Sequence, residues 1–157
     1  MLVFLEHGTS YDGNALRDIC PRRQEELVRL LLENQADVNA QGGYYGNALQ
    51  AACSSGHDQI VHIMLNHGAD INAQGGHYAN ALRAACCLGF KNIARLLLEH
   101  GANANAHCGV FDTAFQVACS RGHVTLAHLL LEYGADANAH SGGYDNALQS
   151  ACSRGMK

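Results

Sequence analysis

Four times along the chain, five of six consecutive residues are apolar. The stripes are Leu27, Val28, Leu30, Leu31, Leu32; Ile60, Val61, Ile63, Met64, Leu65; Ile93, Ala94, Leu96, Leu97, Leu98; and Leu126, Ala127, Leu129, Leu130, Leu131. A stripe this broad at helical spacing predicts an amphipathic helix, running in the second instance from about Asp58 to His67. Gly68, Gly101 and Gly134 close these helices. Ahead of each stripe lies a segment of smaller residues, such as Asn47 to Ser55, which predicts a short helix with Asn47 as its N-cap. Its inward positions are Ala48, Ala51, Ala52 and Cys53, small enough for neighbouring units to approach closely. Gly56 ends it and recurs as Gly89, Gly122 and Gly155, where a left-handed residue is expected. After the second helix comes an extended loop, Ala69 to Ala73, and then a glycine-rich hairpin, Gln74 to Tyr78.

These elements repeat in strict register. Asn-Ala-Leu begins at Asn14, Asn47, Asn80 and Asn146, with Thr113-Ala114-Phe115 in the one gap, so the step is 33 residues throughout. A second series keeps the same step at Ala36-Asp37, Ala69-Asp70, Ala102-Asn103 and Ala135-Asp136.

Helix, turn, helix and hairpin on this period resemble the ankyrin repeat. Gly56-His57 and Gly122-His123 at the helix junction, and Gly68 to Ala73 in the loop, carry the resemblance, which covers Gly8 to Gly155. It implies an all-α fold: a solenoid of stacked helix-turn-helix units with β-hairpin loops. The domain organisation is then a single domain, 1–157, with a partial helix at 1–7, repeats at 8–40, 41–73, 74–106 and 107–139, and a partial repeat at 140–157. There is one consistent departure. The family opens its first helix with Thr-Pro-Leu-His, whereas this chain has Asn47-Ala48-Leu49-Gln50 and its copies, so Asn and Gln side chains are expected to replace the usual Thr–His hydrogen bonding. The fuller pattern Gln-Gly-Gly-x-Tyr-x-Asn-Ala-Leu-Gln resembles a subtype found in large fungal ankyrin proteins, including NACHT-type receptors, though no nucleotide-binding motif is present.

Composition narrows the function classes. Of the 157 residues, 48% are hydrophobic and 15% charged, which excludes a disordered or tail-like chain. The net charge is −4 with both signs interspersed, so no basic face is offered and nucleic acid is not expected as a partner. No apolar run approaches the roughly 20 residues that span a bilayer, and no membrane partner is expected. The opening run Met1 to Leu5 is broken by Glu6 without a basic region or cleavage site, so no secretory signal is predicted.

Seven cysteines and ten histidines raise the question of a disulfide scaffold, a metal site or a catalytic centre. Cys20, Cys53, Cys86, Cys119 and Cys152 occupy one position of every unit, where the family favours Ala. Equivalent residues on stacked helices lie about 8–10 Å apart, too far for a disulfide or a shared zinc, so these read as small buried hydrophobes. Cys87 and Cys108 lie off this ladder. Thiols in such number fit a reducing compartment, which predicts an intracellular protein, cytoplasmic or nuclear. His57 and His123 hold the junction position, where the ring is expected to bond a neighbouring loop; His67 and His100 sit at helix C-termini, and His62 and His128 face solvent. Asn39, Asn72, Asn105 and Asn138 are expected to brace the loops, and Asp37, Asp70 and Asp136 recur structurally beside them. Neither a metal spacing nor a nucleophile–base pair emerges, so no metal, no cofactor and no enzyme is predicted.

Function then falls to outward positions that vary between units. At the hairpin tips these are Tyr11, Tyr44, His77, Val110 and Gly143; the next position, with Asp12, Tyr45, Tyr78, Phe111 and Tyr144, reads as hairpin packing. Near the end of the first helix the matching set is Arg22, Ser55, Leu88, Arg121 and Arg154. Candidate partner-binding residues are therefore Tyr11, Tyr44, His77, Val110, Arg22, Ser55, Leu88 and Arg121, on a groove for a protein partner. Aromatic and arginine side chains dominate such contacts. The alternative is a structural or sensor fragment of a larger multidomain signalling or immune-type receptor. Both ends favour it: six loop residues are missing between Gly8 and Asn14 by comparison with Gly101 to Thr113, and the fifth unit lacks its second helix, leaving Leu148, Ala151 and Cys152 without a covering neighbour. A frayed half-unit is the simpler reading of the same ends.

Overall fold

The computed structural model describes residues 12–107, 113–140 and 147–153. Its helices are α1 (Asp12–Ile19), continued by a 3-10 turn at Cys20–Arg22, α2 (Glu25–Glu33), α3 (Ala48–Ser55), α4 (Asp58–Asn66), α5 (Ala81–Leu88), α6 (Lys91–Glu99), α7 (Ala114–Ser120), α8 (Val124–Glu132) and α9 (Ala147–Ser153). The odd-numbered helices pack in one row and the even-numbered in a second, each pair joined within its unit. Between units the chain does not run extended but turns, with the N–H of Ala40, Ala73, Ala106 and Ala139 donating to the carbonyl three residues before it, and the hairpins of the second and third units are reduced to single antiparallel bridges, Gly42 with Gly46 and Gly75 with Ala79. This is the expected all-α solenoid.

The first helices begin where a side chain can accept from a free backbone N–H. Asn47 and Asn80 are extended, and their Oδ1 atoms take the N–H of Gln50 at 2.8 Å and of Arg83 at 2.7 Å. Thr113 closes a full capping box: its Oγ1 accepts from Gln116, whose Oε1 accepts from the Thr113 N–H at 2.9 Å. The wholly buried Gln50 also donates through Nε2 to the Ala73 carbonyl at 3.0 Å, and Gln116 does the same to Ala139. Asn and Gln thus assume the bonding that Thr and His supply in the usual motif. The first unit departs from this plan. Its helix begins at Asp12, so that residue is helical and not part of a hairpin tip.

The core lies between the two rows. Ala51, Ala52, Ala84, Ala85 and Ala118 are fully buried and let the first helices approach, while Ile60, Met64, Ile93, Leu97, Leu126 and Leu130 fill the space behind them. Burying each such large side chain contributes roughly 1.5–3 kcal/mol. The predicted stripes are wider than the buried face: Leu30 and Leu131 are each 43% exposed, because five positions in six residues sweep past the contact sector of a nine-residue helix. At the junctions His57, Phe90 and His123 share one slot. The His57 ring bonds the Pro21 carbonyl at 3.0 Å, and the Phe90 ring lies where a side chain on Gly56 would go. Gly56, at φ +76°, is therefore held to glycine both by its backbone and by its neighbour.

The cysteine ladder is buried at Cys20, Cys53 and Cys86, half-buried at Cys119 and exposed at Cys152. Burial pushes the Cys20 and Cys86 thiols up to about 12, and Cys53 higher still, by burial first and then by Cys20 and Asp58. These are packing groups held protonated, not nucleophiles. The packing role holds for the first three rungs, whereas Cys152 lies outside it, as does Leu148, 72% exposed on the same helix.

Candidate functional site

The loops between units are locked edge to edge by one asparagine in each. Asn39 donates through Nδ2 to the Gly68 carbonyl at 3.1 Å and accepts the Asp70 N–H at 2.7 Å. Asn72 repeats this with Gly101 and Asn103, at 3.3 and 2.8 Å, and Asn105 with Gly134 and Asp136, at 2.8 and 2.7 Å. Asp37, Asp70, Asn103 and Asp136 each accept the N–H two residues on, which holds the loop in shape. This frame fixes how far each hairpin projects and how close it comes to the next.

The hairpins of the second and third units are in direct contact. The His77 N–H donates to the Tyr44 carbonyl at 2.8 Å. A Cβ on Gly76 would run into the Tyr45 carbonyl, so only glycine permits the approach. The close approach stacks two tip side chains: the Tyr44 and His77 rings lie 4.8 Å apart and 16° from parallel. Each is met edge-on by its own neighbour, Tyr44 by Tyr45 at 5.1 Å and His77 by Tyr78 at 4.8 Å. Tyr45 and Tyr78 are half-buried against the core, which bears out their packing role. Tyr44, by contrast, is 61% exposed. Burial raises the Tyr78 phenol above its ordinary value, helped by Cys87, Tyr44 and Tyr45 and opposed by Arg121. From the other side Arg83 donates to the Tyr78 carbonyl at 3.0 Å and props the hairpin.

At the edge of this array is a cleft of about 340 Å³. Arg17, Asp18, Pro21 and Arg22 form one wall, and residues 42–45 form the other. The Arg17 guanidinium lies across Gly42, with Nη1 3.0 Å from where a Cβ would stand. That nitrogen is buried and has no hydrogen-bond partner among the described residues, a condition that costs about 1–3 kcal/mol for a typical donor.

The structure thus joins Tyr44 to His77 by stacking and Tyr44 to Arg22 across the cleft. Leu88 is 38% exposed and Arg121 exposed. Ser55 is half-buried and its hydroxyl donates to the Ala51 carbonyl at 2.9 Å, so its donor serves its own helix. Tyr11 and Val110 lie outside the described residues, as do Cys108, Phe111, Gly143, Tyr144 and Arg154. Arg17 was not among the residues expected from the sequence. The sequence carried only part of its signal, since Arg17 stands where Gln50, Gln116 and Gln149 stand in other units but also where Arg83 stands.

Among the described residues, no three or more His, Cys, Asp or Glu side chains are grouped to hold a metal ion, and no helix is long and apolar enough to cross a membrane. A family model described as ankyrin repeats (3 copies) matches residues 16–108 and, one period on, 49–141. No curated protein matches the chain.

Proposed function

The chain belongs to the ankyrin-repeat family, whose members are generally protein–protein interaction modules, and on that premise we propose that it binds a protein partner through its hairpin tips and the concave face of its first helices. The observation that carries this reading is the stacked, exposed pair Tyr44 and His77. Exposed aromatic surface held rigid by its neighbours loses little freedom on binding, which is why such residues anchor interfaces. Leu88, Arg121 and Arg22 extend the surface with apolar and cationic contacts. The reading assigns no catalytic role: burial holds the most buried thiols protonated, and the asparagine side chains of the loops are committed to the backbone of the next loop.

The narrower likeness to large fungal NACHT-type receptor proteins belongs to the same proposal. It is supported by the Gln-Gly-Gly-x-Tyr-x-Asn-Ala-Leu-Gln pattern at Gln41 to Gln50. An intracellular setting is supported by the free thiols of the ladder.

The test is affinity capture from an extract of the source cells, with the wild-type chain beside the Tyr44→Ala/Arg121→Ala variant. A partner held by the wild type should be held at least about tenfold less tightly by the variant, since each anchor is worth about 1 kcal/mol or more. Equal retention by both would overturn the groove as the binding surface.

A further inference from the structure

The cleft beside the tip array sets an arginine differently from the one other described unit that has it at this phase: Arg83 donates to the Tyr78 carbonyl of its own hairpin, whereas Arg17 lies over the following one. Where Gln50 and Gln116 send an amide to a loop carbonyl, the first unit has Arg17. Its guanidinium is laid over Gly42 with Nη1 buried and without a partner among the described residues, and Arg22 lines the same wall. Opposite stand Tyr44 and Tyr45, with Pro21 supplying further apolar surface. Asp18 is the one acidic group among the described lining residues and is itself exposed, as is Arg22, so two cations stand against a single carboxylate.

The geometry points to this cleft as the subsite for an acidic side chain of the partner protein, a glutamate or aspartate whose carboxylate pairs with Arg17 while an adjoining apolar residue lies against Tyr44. The inference rests on the interaction reading above and names the partner's chemistry at one end of that surface. With Nη1 covered against Gly42, the Nε–Nη2 edge of the guanidinium is the side that a planar carboxylate would take, and a cleft of about 340 Å³ admits one side chain and part of a second. The negative charge of Asp18 in the same lining disfavours a phosphate dianion more than a carboxylate of single charge.

Nuclear magnetic resonance titration of the isotope-labelled chain tests this. The probes are the blocked tripeptide phenylalanine-glutamate-leucine, its glutamine counterpart, and inorganic phosphate; the signals followed are the amides of Gly42, Gly43 and Tyr45 and the Arg17 Nε–H. The glutamate peptide should shift them with a midpoint about tenfold lower than the glutamine peptide, the advantage expected of a charged hydrogen bond over a neutral one. In Arg17→Gln that preference should vanish. This variant carries the residue found at the same slot in Gln50 and Gln116, and its other amide signals report whether the fold is kept. Equal midpoints for the two peptides would overturn the inference, as would a preference that survives Arg17→Gln. Phosphate moving these signals while both peptides fail would also overturn it and make the cleft a site for free inorganic anion. The two readings fail separately. A captured partner that depends on Tyr44 and Arg121 yet is indifferent to Arg17→Gln leaves the interaction surface standing and removes the carboxylate subsite. Capture indifferent to Tyr44 and Arg121 removes the surface, whatever the peptides do.

Discussion

Replacing Asn72 by alanine separates what holds neighbouring units together from what folds each one. The side chain makes two bonds, both to the following loop: Nδ2 to the Gly101 carbonyl at 3.3 Å and Oδ1 from the Asn103 N–H at 2.8 Å. It is exposed, so water partly replaces both in the variant. An ordinary hydrogen bond contributes about 0.5–1.5 kcal/mol, and taking the lower half of that range for each gives a loss of about 1–2 kcal/mol. Asn138 holds the equivalent position, but its side chain makes no such bond among the described residues, and only its backbone bonds to Asp136. Asn138→Ala should therefore cost less than about 0.5 kcal/mol, as surface substitutions usually do.

The chain has no tryptophan, so urea unfolding is best followed by helical circular dichroism. For 157 residues a loss of 1 kcal/mol corresponds to a fall of about 2–4 °C in Tm. The local readout is amide exchange at Asn103, which should accelerate in Asn72→Ala while the amides of α4 stay as protected as before. Asn72→Asp sharpens the test, because a carboxylate keeps the acceptor but turns an oxygen toward the Gly101 carbonyl. It should be no more stable than the alanine variant. Equal losses from Asn72→Ala and Asn138→Ala would refute the reasoning, since they would place the energy within a loop and not between loops.

Gln50→Leu keeps the volume but strands the buried Ala73 carbonyl, and should cost about 1–3 kcal/mol in the urea midpoint. Gly76→Ala combines a positive φ of 66° with a clash at Tyr45, and should cost at least about 1–2 kcal/mol; the amide signals of Tyr44 and His77 should move with it. Alkylation followed by mass spectrometry should modify Cys152 in the native chain while Cys20, Cys53 and Cys86 react only after unfolding. Those three thiols also set a pH dependence: their folded pKa values are raised, so above the ordinary value of 9.0 the unfolded chain releases protons that the folded chain keeps, and stability falls as pH rises. At pH 10 the loss is about 1.4 kcal/mol for each thiol, and Cys53→Ala should remove about a third of it.

Most of this architecture is legible because a repeat writes each physical requirement several times. Asn47 and Asn80 sit at helix caps, and Asn39, Asn72 and Asn105 span loops, so the same residue at the same phase announces one geometric need. The aromatic pairs at the tips could be divided by the same logic: Tyr45 and Tyr78 pack because the position repeats, and Tyr44 and His77 face outward because theirs varies. Exposure within a stripe was less readable. Leu30 and Leu131 match their buried neighbours in kind, and only the crossing of one helix row over the other decides which face is covered.

Arg17 shows where such reading stops and why. A repeat average treats it as one variant of a glutamine position, and Arg83 at the same phase supports that by bonding a carbonyl of its own hairpin. The difference lies in what each guanidinium meets. Arg83 turns to Tyr78, whereas Arg17 lies over the following hairpin at Gly42, beside Arg22 and two tyrosines. Sequence phase gives the slot of a side chain but not the direction a long, flexible one takes from it, and the two directions here have different consequences. One satisfies a donor within the fold. The other leaves one donor covered by Gly42 with no hydrogen-bond partner among the described residues, and sets the same guanidinium at the edge of a cleft. Departures from the repeat that also leave a polar atom unsatisfied are therefore the positions at which stacking and recognition part company.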